Sequence, residues 1–288
     1  MSITNTLAAV LTTPGTNSAP LVTHGLYAMT TTNHVPLEGS ITLPDAARVT
    51  VNGDDAVIDA DDGRSLTLRR VHMARFAEAD AQDTPVLVEG CLMEGFLIDG
   101  MDIKADDAPL VIRRSTFRNA DPNNSNADAI DFGLGAGFVD GCLIHDFPDK
   151  GVSIGGAPGT VVRNTLIYRC GIGISAYSSS DLAFDHNTIA SCLNGILFRD
   201  NPASAIGVAT NLILWGNATN LAILDDSTLA LAFSDVHGAV PPGTGNISAD
   251  PLFVDPSRDD YRLSPGSPAL GAAADGGPLS PHSTSSST

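Results

Sequence analysis

Four polar residues near the centre of the chain are of the types that proton-transfer chemistry requires. Tyr177 and Arg199 hold the same position in successive units of a sequence repeat, and Asp200 follows directly. Asp131 lies upstream of them. A base that removes the proton α to a carboxylate works beside a cation that neutralises that carboxylate, and a tyrosine next to an arginine can serve as base and acid. We take these four residues as candidate catalytic residues; the alternative is a solvated tyrosine and arginine on an ordinary surface.

A group of three carboxylates and one ammonium forms a second candidate. Asp128, Asp131 and Asp149 offer the oxygen ligands that a hard cation such as Ca²⁺ prefers. Lys150 stands beside them, and nearby negative charge raises the pKa of a lysine, which makes it a good salt-bridge partner and a poor general base. Two interpretations follow: a metal site on the three aspartates, and a structural ion pair with Lys150, which we favour.

The spacing of these residues follows a repeat with a period of about 22 residues. Four segments align without gaps, at residues 128–132, 150–154, 172–176 and 194–198. Each has an apolar residue at the same place, namely Ile130, Val152, Ile174 and Ile196. A second set of apolar segments lies at residues 111–117, 138–144, 161–167, 182–189 and 208–214. Every repeat therefore holds at least two short strands.

A repeat of this length with several short strands predicts an all-β solenoid, a three-sided right-handed parallel β-helix. The period is too long for a hexapeptide repeat, and long amphipathic helical stretches are missing. We expect about 22 residues per coil and roughly eight to ten coils. The predicted order is an N-terminal segment and cap at 1–60, coils at 61–232, a closing segment at 233–275 and a flexible tail or linker at 276–288.

Alternation along the aligned strands predicts which residues point outward. Ile130 and Phe132 should point inward, and the residues beside them outward. The predicted outward columns are Ala129, Gly151, Gly173 and Gly195; then Asp131, Ser153, Ser175 and Leu197; then Gly133, Gly155, Tyr177 and Arg199. Such small residues are typical of an open groove for a polymer chain, although they can also relieve crowding on a tightly packed sheet. Tyr177 and Arg199 become lateral neighbours.

Two further sets of residues are assigned to the scaffold. Asn164, Asn187 and Asn211 recur at a turn, where stacked asparagines satisfy backbone groups. Cys170 and Cys192 share the register and would lie one above the other. They can form a disulfide or remain buried thiols, and we favour free thiols because bridges between adjacent parallel strands are often strained.

The charge of the chain argues against several classes of function. Its formal net charge is -18, and Lys104 and Lys150 are the only lysines, which argues against binding to nucleic acid. No stretch reaches the roughly 18 apolar residues of a membrane span, and the first residues lack the features of a signal peptide. The Ser- and Thr-rich end is typical of a linker to further domains of a longer surface protein.

Several segments resemble those of a known family. Residues 211–217, 233–238, 245–255 and 260–270 are similar to the closing part of secreted right-handed β-helix repeat proteins of the pectate-lyase-like superfamily. Residues 128–131 and 149–155 resemble β-helix segments of large bacterial surface proteins. The resemblance implies an extracellular or cell-surface location and contact with carbohydrate. Because that family includes lyases, epimerases, hydrolases and proteins of no known activity, the fold does not select among them.

Two functions of different classes follow from this resemblance. The preferred one is a polysaccharide-binding or spacer module, because no catalytic motif of the family appears residue by residue. The alternative is a cation-assisted lyase or epimerase acting on uronate-containing glycans, supported by Asp131, Tyr177, Arg199 and Asp200. A walled cleft in which these side chains converge would favour the enzyme, and an even ladder would favour the spacer.

Overall fold

Parallel β-strands make up almost all of the regular structure. The computed structural model describes residues 19–20, 24–29, 34–36, 40–42, 48–53, 57–60, 66–69, 71–74, 78–83, 85–106 and 109–280. Its strands pair in parallel from coil to coil and form three columns, which we call faces A, B and C. This arrangement is a parallel β-helix, as the sequence repeat predicts.

The three faces consist of short strands that follow one another along the chain. Face A comprises Ala19–Pro20, Ser40–Thr42, Leu66–Arg69, Val86–Glu89, Leu110–Arg113, Gly137–Asp140, Val161–Arg163, Ser179–Asp185, Ala205–Thr210 and Thr228–Ala232. Face B comprises His24–Met29, Arg48–Gly53, Val71–Ala74, Leu92–Glu94, Thr116–Arg118, the first parts of Leu143–Gly155 and Leu166–Tyr177, Thr188–Ala190, Ile213–Trp215 and Asp235–Val236. Face C comprises His34–Pro36, Val57–Ala60, Glu78–Gln82, Met101–Lys104, Ile130–Leu134, the second parts of Leu143–Gly155 and Leu166–Tyr177, Asn194–Phe198 and Thr219–Ile223.

Strand register defines the coils. From Leu87 onward, the pairing on face A runs in six steps through Val111, Phe138, Val161, Ala183 and Val208 to Ala230. These six coils are slightly fewer than the eight to ten expected, and further strands extend the stack upstream. On face C, Ile130, Val152, Ile174 and Ile196 are paired in register, which confirms the period inferred from the sequence.

The interior is filled by residues from all three faces. Ile130, Val152, Ile174 and Ile196 are completely buried, as are Phe132, Ile154, Ala176 and Phe198. The predicted inward positions of face C are therefore confirmed. Since β-branched and aromatic side chains fit a pleated surface, this composition favours stacked strands.

One predicted outward column points inward instead. Ala129 is completely buried in the core, and a Cβ added to Gly151 would lie 2.7 Å from Cγ2 of Ile167. On Gly173, an added Cβ would overlap with Cγ2 of Ile189. The prediction is wrong because the chain bends at the corner between faces B and C, which breaks the strict alternation there. Small residues at this corner make room for the core.

The corner between faces A and B is a tight turn that repeats in the coils from Gly90 to Phe233. One residue adopts the left-handed conformation at each turn: Gly90, Arg114, Gly141, Asn164, His186, Asn211 and Phe233. The following residue in one coil is Asn187, whose Oδ1 accepts the N–H of Thr165 at 3.0 Å and whose Nδ2 donates to the carbonyl of Val162 at 2.7 Å. The scaffold role is confirmed for Asn187, which satisfies turn backbone that would otherwise be unpaired. Asn164 and Asn211 are left-handed turn residues, and their side-chain amides donate to Asp140 and Asp185.

The cysteines and the closing segment complete the scaffold. Cys91, Cys142, Cys170 and Cys192 are free and buried, which confirms the thiol interpretation.

The remaining elements are the antiparallel strands Phe253–Asp255 and Asp260–Leu263 and the 3-10 helices Pro256–Arg258 and Pro268–Gly271. Tyr261 packs against Tyr168 of face B with ring centroids 4.9 Å apart, so this segment covers the outside of that face. Within the described residues, no helix has the length and hydrophobicity needed to cross a membrane.

Ile174→Asp provides a test of the central core. The substitution buries an unpaired charge in the middle of the stack and should lower the free energy of unfolding by more than about 4 kcal/mol. The matched control is Ile206→Asp, because Ile206 lies on face A with 49% of its surface exposed. Thermal and urea unfolding measure both variants. Equal stability of the two variants would contradict the assignment of Ile174 to the interior.

Candidate functional site

The outer surface of face C carries a column of polar residues in register. We call Asp102, Asp131, Ser153 and Ser175 the polar column; each is paired with the next from coil to coil. Leu197 follows Ser175 in the next coil. Neighbouring strands lie about 4.8 Å apart, so successive side chains can interact. The column therefore has carboxylates at one end and hydroxyl groups at the other.

Three carboxylates gather at the acidic end of this column. Glu78, Asp99 and Asp102 each place a carboxylate oxygen within 4.8 Å of the others, and we call them the acidic cluster. Asp99 is buried, and its Oδ1 accepts the N–H of Asp128 at 2.8 Å. Burial is the main cause that raises the pKa of Asp99 to about 6; the hydrogen bond lowers this pKa, and the neighbouring carboxylates raise it. The cluster thus brings three carboxylates together, and one of them, that of Asp102, is paired with Lys104.

Two oxygens at this end of the column are buried without a hydrogen-bond partner. They are Oδ1 of Asp102 and Oδ1 of Asp131. Burial raises the pKa of Asp131, a hydrogen bond from Ser153 lowers it, and the Asp102 carboxylate raises it. Unpaired buried oxygens are costly, so these two would be stabilised by a donor or a cation that no group in the described part of the chain supplies.

Lys150 is held by two of the predicted metal ligands. Its Nζ lies 3.2 Å from both carboxylate oxygens of Asp128 and contacts Asp149 as well. Its backbone N–H also donates to Asp128 at 2.9 Å. Burial lowers the pKa of Lys150, but the two carboxylates raise it by more, and the net shift is upward. The predicted structural ion pair is confirmed, and the raised pKa makes Lys150 a poor base.

Tyr177 and Arg199 are in contact, as neighbours in adjacent coils should be. The guanidinium carbon of Arg199 lies 5.7 Å from the centroid of the Tyr177 ring. The ring leans over Gly155 in the preceding coil, where an added Cβ would overlap with the tyrosine Oη. Glycine at this position therefore allows the tyrosine to lie flat along face C.

The other two candidate catalytic residues do not join this pair. Asp200 lies beyond the end of the strand, where its Oδ1 accepts the hydroxyl of Ser227 at 3.1 Å. Asp131 is separated from the coil of Arg199 by three register steps, or about 14 Å along the axis. The four residues thus share one side of the molecule but form no single constellation.

The sequence contained a signal for the acidic cluster that our alignment missed. Asp99 and Asp102 have the same spacing as Asp128 and Asp131, and the two pairs lie in adjacent coils. The gapless repeat could not reach Asp102, because the chain between Asp102 and Asp131 is longer than one period. Allowing for a longer coil would have brought the two acidic pairs together.

Two shallow concavities lie elsewhere, at the turns from face B to face C. The larger, of about 560 Å³, is lined by Asn119, Ala120, Pro122, Asp146, Phe147, Pro148 and Arg169. Arg169 is already engaged there, since it donates to Asp146 at 2.6 and 2.8 Å and also contacts Asp259. The guanidinium of Arg169 is therefore already paired with carboxylates and is not available to an anionic ligand in this concavity.

Comparisons with known proteins agree on the architecture. A family model described as the right handed beta helix region matches residues 79–234. A solved structure, the crystal structure of pectate lyase Pel9A, is similar with a TM-score of 0.59 and 15% sequence identity. The similarity covers 86% of this chain and 81% of the lyase. No curated protein matches the sequence significantly. The structural similarity at this identity concerns the fold alone.

Lys150→Met tests whether the lysine serves the scaffold. Removing the ammonium leaves the buried carboxylate of Asp128 unpaired and should lower the free energy of unfolding by about 3 kcal/mol near neutral pH. The loss should be larger at higher pH. Burial raises the pKa of Asp128, so at lower pH its carboxyl group is protonated and needs no cation, whereas at higher pH the variant must bury an unpaired carboxylate.

Lys104→Met is the matched control for this experiment. Lys104 pairs with Asp102 but has 45% of its side chain exposed, so its removal should cost less than about 1 kcal/mol. Urea unfolding at several pH values measures both variants. A Lys150→Met protein as stable as the control at every pH would refute the structural assignment.

Proposed function

Because the chain belongs to the right-handed β-helix region family, we propose that its face C binds an acidic polysaccharide with the help of a hard cation. The acidic cluster carries this proposal. Three carboxylates meet there within 4.8 Å, on a chain whose net charge of -18 would otherwise repel an acidic glycan. A cation between the cluster and a uronate carboxylate converts that repulsion into attraction.

The donors of the acidic cluster fit a calcium ion. Ca²⁺ takes about six to eight oxygen ligands in flexible geometry, and carboxylates are its usual protein ligands. Glu78, Asp99 and Asp102 would hold the ion, with Asp131 contributing from the next coil. The unpartnered oxygens of Asp102 and Asp131 support this choice. Asp128 and Asp149, which we also predicted as ligands, would instead position the site through Lys150.

The cation would neutralise the carboxylate of a bound sugar. The other contributions to binding come from residues of the protein. Ser153 and Ser175 are small and buried, so neither side chain protrudes from this face. Asp99 accepts the backbone N–H of Asp128, which fixes the carboxylate relative to the next coil. The rigid stack therefore preorganises the ligands, and this lowers the entropy lost on binding.

A location outside the cell or on its surface follows from this proposal. The solved structure with the same fold is a pectate lyase, whose printed name identifies a polysaccharide substrate. A module that binds such polymers would work where they occur, alone or as the spacer of a longer surface protein. The solenoid suits this role, since its binding surface grows with every added coil.

Lyase or epimerase activity on uronate-containing glycans is the second candidate. The contact between Arg199 and Tyr177 favours it, because a cation near a phenol is the arrangement that a tyrosine base requires. We rank it below binding because Asp131 lies about 14 Å along the axis from Arg199. A cation bound at the acidic cluster would be further still, so it could not neutralise a carboxylate at the tyrosine.

Calorimetric titration with Ca²⁺ tests the cation site. We expect wild-type protein to bind Ca²⁺, and Asp102→Asn to weaken binding by at least about tenfold through the loss of one charged ligand. Asp226→Asn, at an exposed aspartate, is the control and should bind as wild type does. The absence of Ca²⁺ binding in the wild-type protein would refute the cation site.

Incubation with polygalacturonate separates binding from catalysis. With Ca²⁺ we expect sedimentation with the polymer, reversed by chelator, and no rise in the ultraviolet absorbance of unsaturated uronates. A rise that needs Ca²⁺ and disappears in Tyr177→Phe would establish the lyase instead. Epimerisation is followed by nuclear magnetic resonance of the recovered polymer. Failure to bind any acidic polymer, with or without Ca²⁺, would refute the proposed function.

A further inference from the structure

Arg199 differs from the other lysines and arginines in the well-described part of the chain in its lack of an acidic partner. Among residues 78–280 as far as the structure describes them, every other lysine and arginine contacts a carboxylate, from Lys104 to Arg262. Arg199 has no such contact and packs against the ring of Tyr177. On a chain with 33 acidic and 15 basic residues, an unpaired arginine is unexpected.

The surroundings of Arg199 make this lack of a partner costly. The side chain is half-buried, and its Nε is buried without a hydrogen-bond partner. The adjacent Asp200 uses its Oδ1 to accept the hydroxyl of Ser227. Ser175, on the same face, is completely buried and its Oγ also has no partner. Partly dehydrated donors of this kind gain most from an anion supplied by a ligand.

The position of Arg199 relates it to the acidic cluster. Along face C, the register runs from Asp102 through Asp131, Ser153 and Ser175 to Leu197, in the strand that ends just before Arg199. Four steps of about 4.8 Å place the two ends about 19 Å apart along the axis. A sugar unit of an extended polymer advances by roughly the height of one coil, so a chain of several units is needed to reach both.

We infer that Arg199, packed against Tyr177, binds a uronate carboxylate of the polysaccharide at a subsite displaced by about 19 Å along the axis from the acidic cluster. This inference rests on the proposed function and names its ligand as a polyanion of several units. The planar guanidinium matches a carboxylate in a two-point contact that a lysine cannot make. The Tyr177 ring beside it offers an apolar surface to the sugar and a hydroxyl at its edge.

The two ends would then recognise the same kind of group by different means. At the acidic cluster, a carboxylate of the polysaccharide is bound through a cation, so this contact is lost when the cation is removed. At Arg199, a carboxylate is bound directly and needs no metal. The subsite thus sets a minimum length for tight binding, because a short oligomer can occupy only one end at a time.

Binding of galacturonate oligomers of two lengths tests this subsite. Calorimetry in Ca²⁺ compares the disaccharide with the hexasaccharide for wild type, Arg199→Gln and Arg199→Lys. We expect Arg199→Gln to weaken hexasaccharide binding by about tenfold or more, and Arg199→Lys to recover only part of it. Disaccharide binding at the cation end and Ca²⁺ binding without sugar should not change. Arg258→Gln, an arginine with 86% of its side chain exposed, is the control.

The outcomes distinguish this subsite from the function on which it rests. If wild type binds the hexasaccharide and Arg199→Gln binds it equally well, the Arg199 subsite is refuted and the proposed function stands. Equal weakening of both oligomers would also refute a distant subsite, because Arg199 would then act at the cation end. If wild type binds neither oligomer with or without Ca²⁺, both the subsite and the proposed function fail.

Discussion

Hydrogen bonding between parallel coils is the constraint on which the rest of this structure depends. A strand in a solenoid must match the coil below and the coil above, so its register is fixed twice. On face C this register aligns Ile130, Val152, Ile174 and Ile196 in the core and, one residue along, Asp131, Ser153 and Ser175 on the outside. The same bonds that build the scaffold therefore decide which side chains become neighbours on its surface.

Charge is distributed along this scaffold according to the same spacing. The outer edge of face A alternates in sign, because Glu89, Arg113, Asp140, Arg163 and Asp185 follow one another in register. Opposite charges in adjacent coils attract, although each exposed pair adds little stability. Face C lacks this alternation at its acidic end, where Asp102 and Asp131 are adjacent. This contrast between the two faces is consistent with our proposal that face C is the binding surface.

Much of the fold could be predicted from the sequence, and less of the site. The gapless repeat placed Ile174 inside and brought Tyr177 next to Arg199, since both depend only on a constant coil length. The corner residues Ala129 and Gly151 escaped prediction because alternation fails where the chain bends. The acidic cluster escaped because a coil of different length separates Asp102 from Asp131. A single periodicity therefore finds the core and misses contacts that cross an insertion.

The stacking of like charges has a mechanical consequence. A coil of a solenoid touches only its two neighbours, so repulsion between the carboxylates of Glu78, Asp99, Asp102 and Asp131 loosens the interfaces between their coils and leaves distant ones unaffected. A cation that neutralises these carboxylates should strengthen the contacts between the same coils. We therefore expect the stiffness of this part of the described solenoid to depend on the ionic composition of the medium.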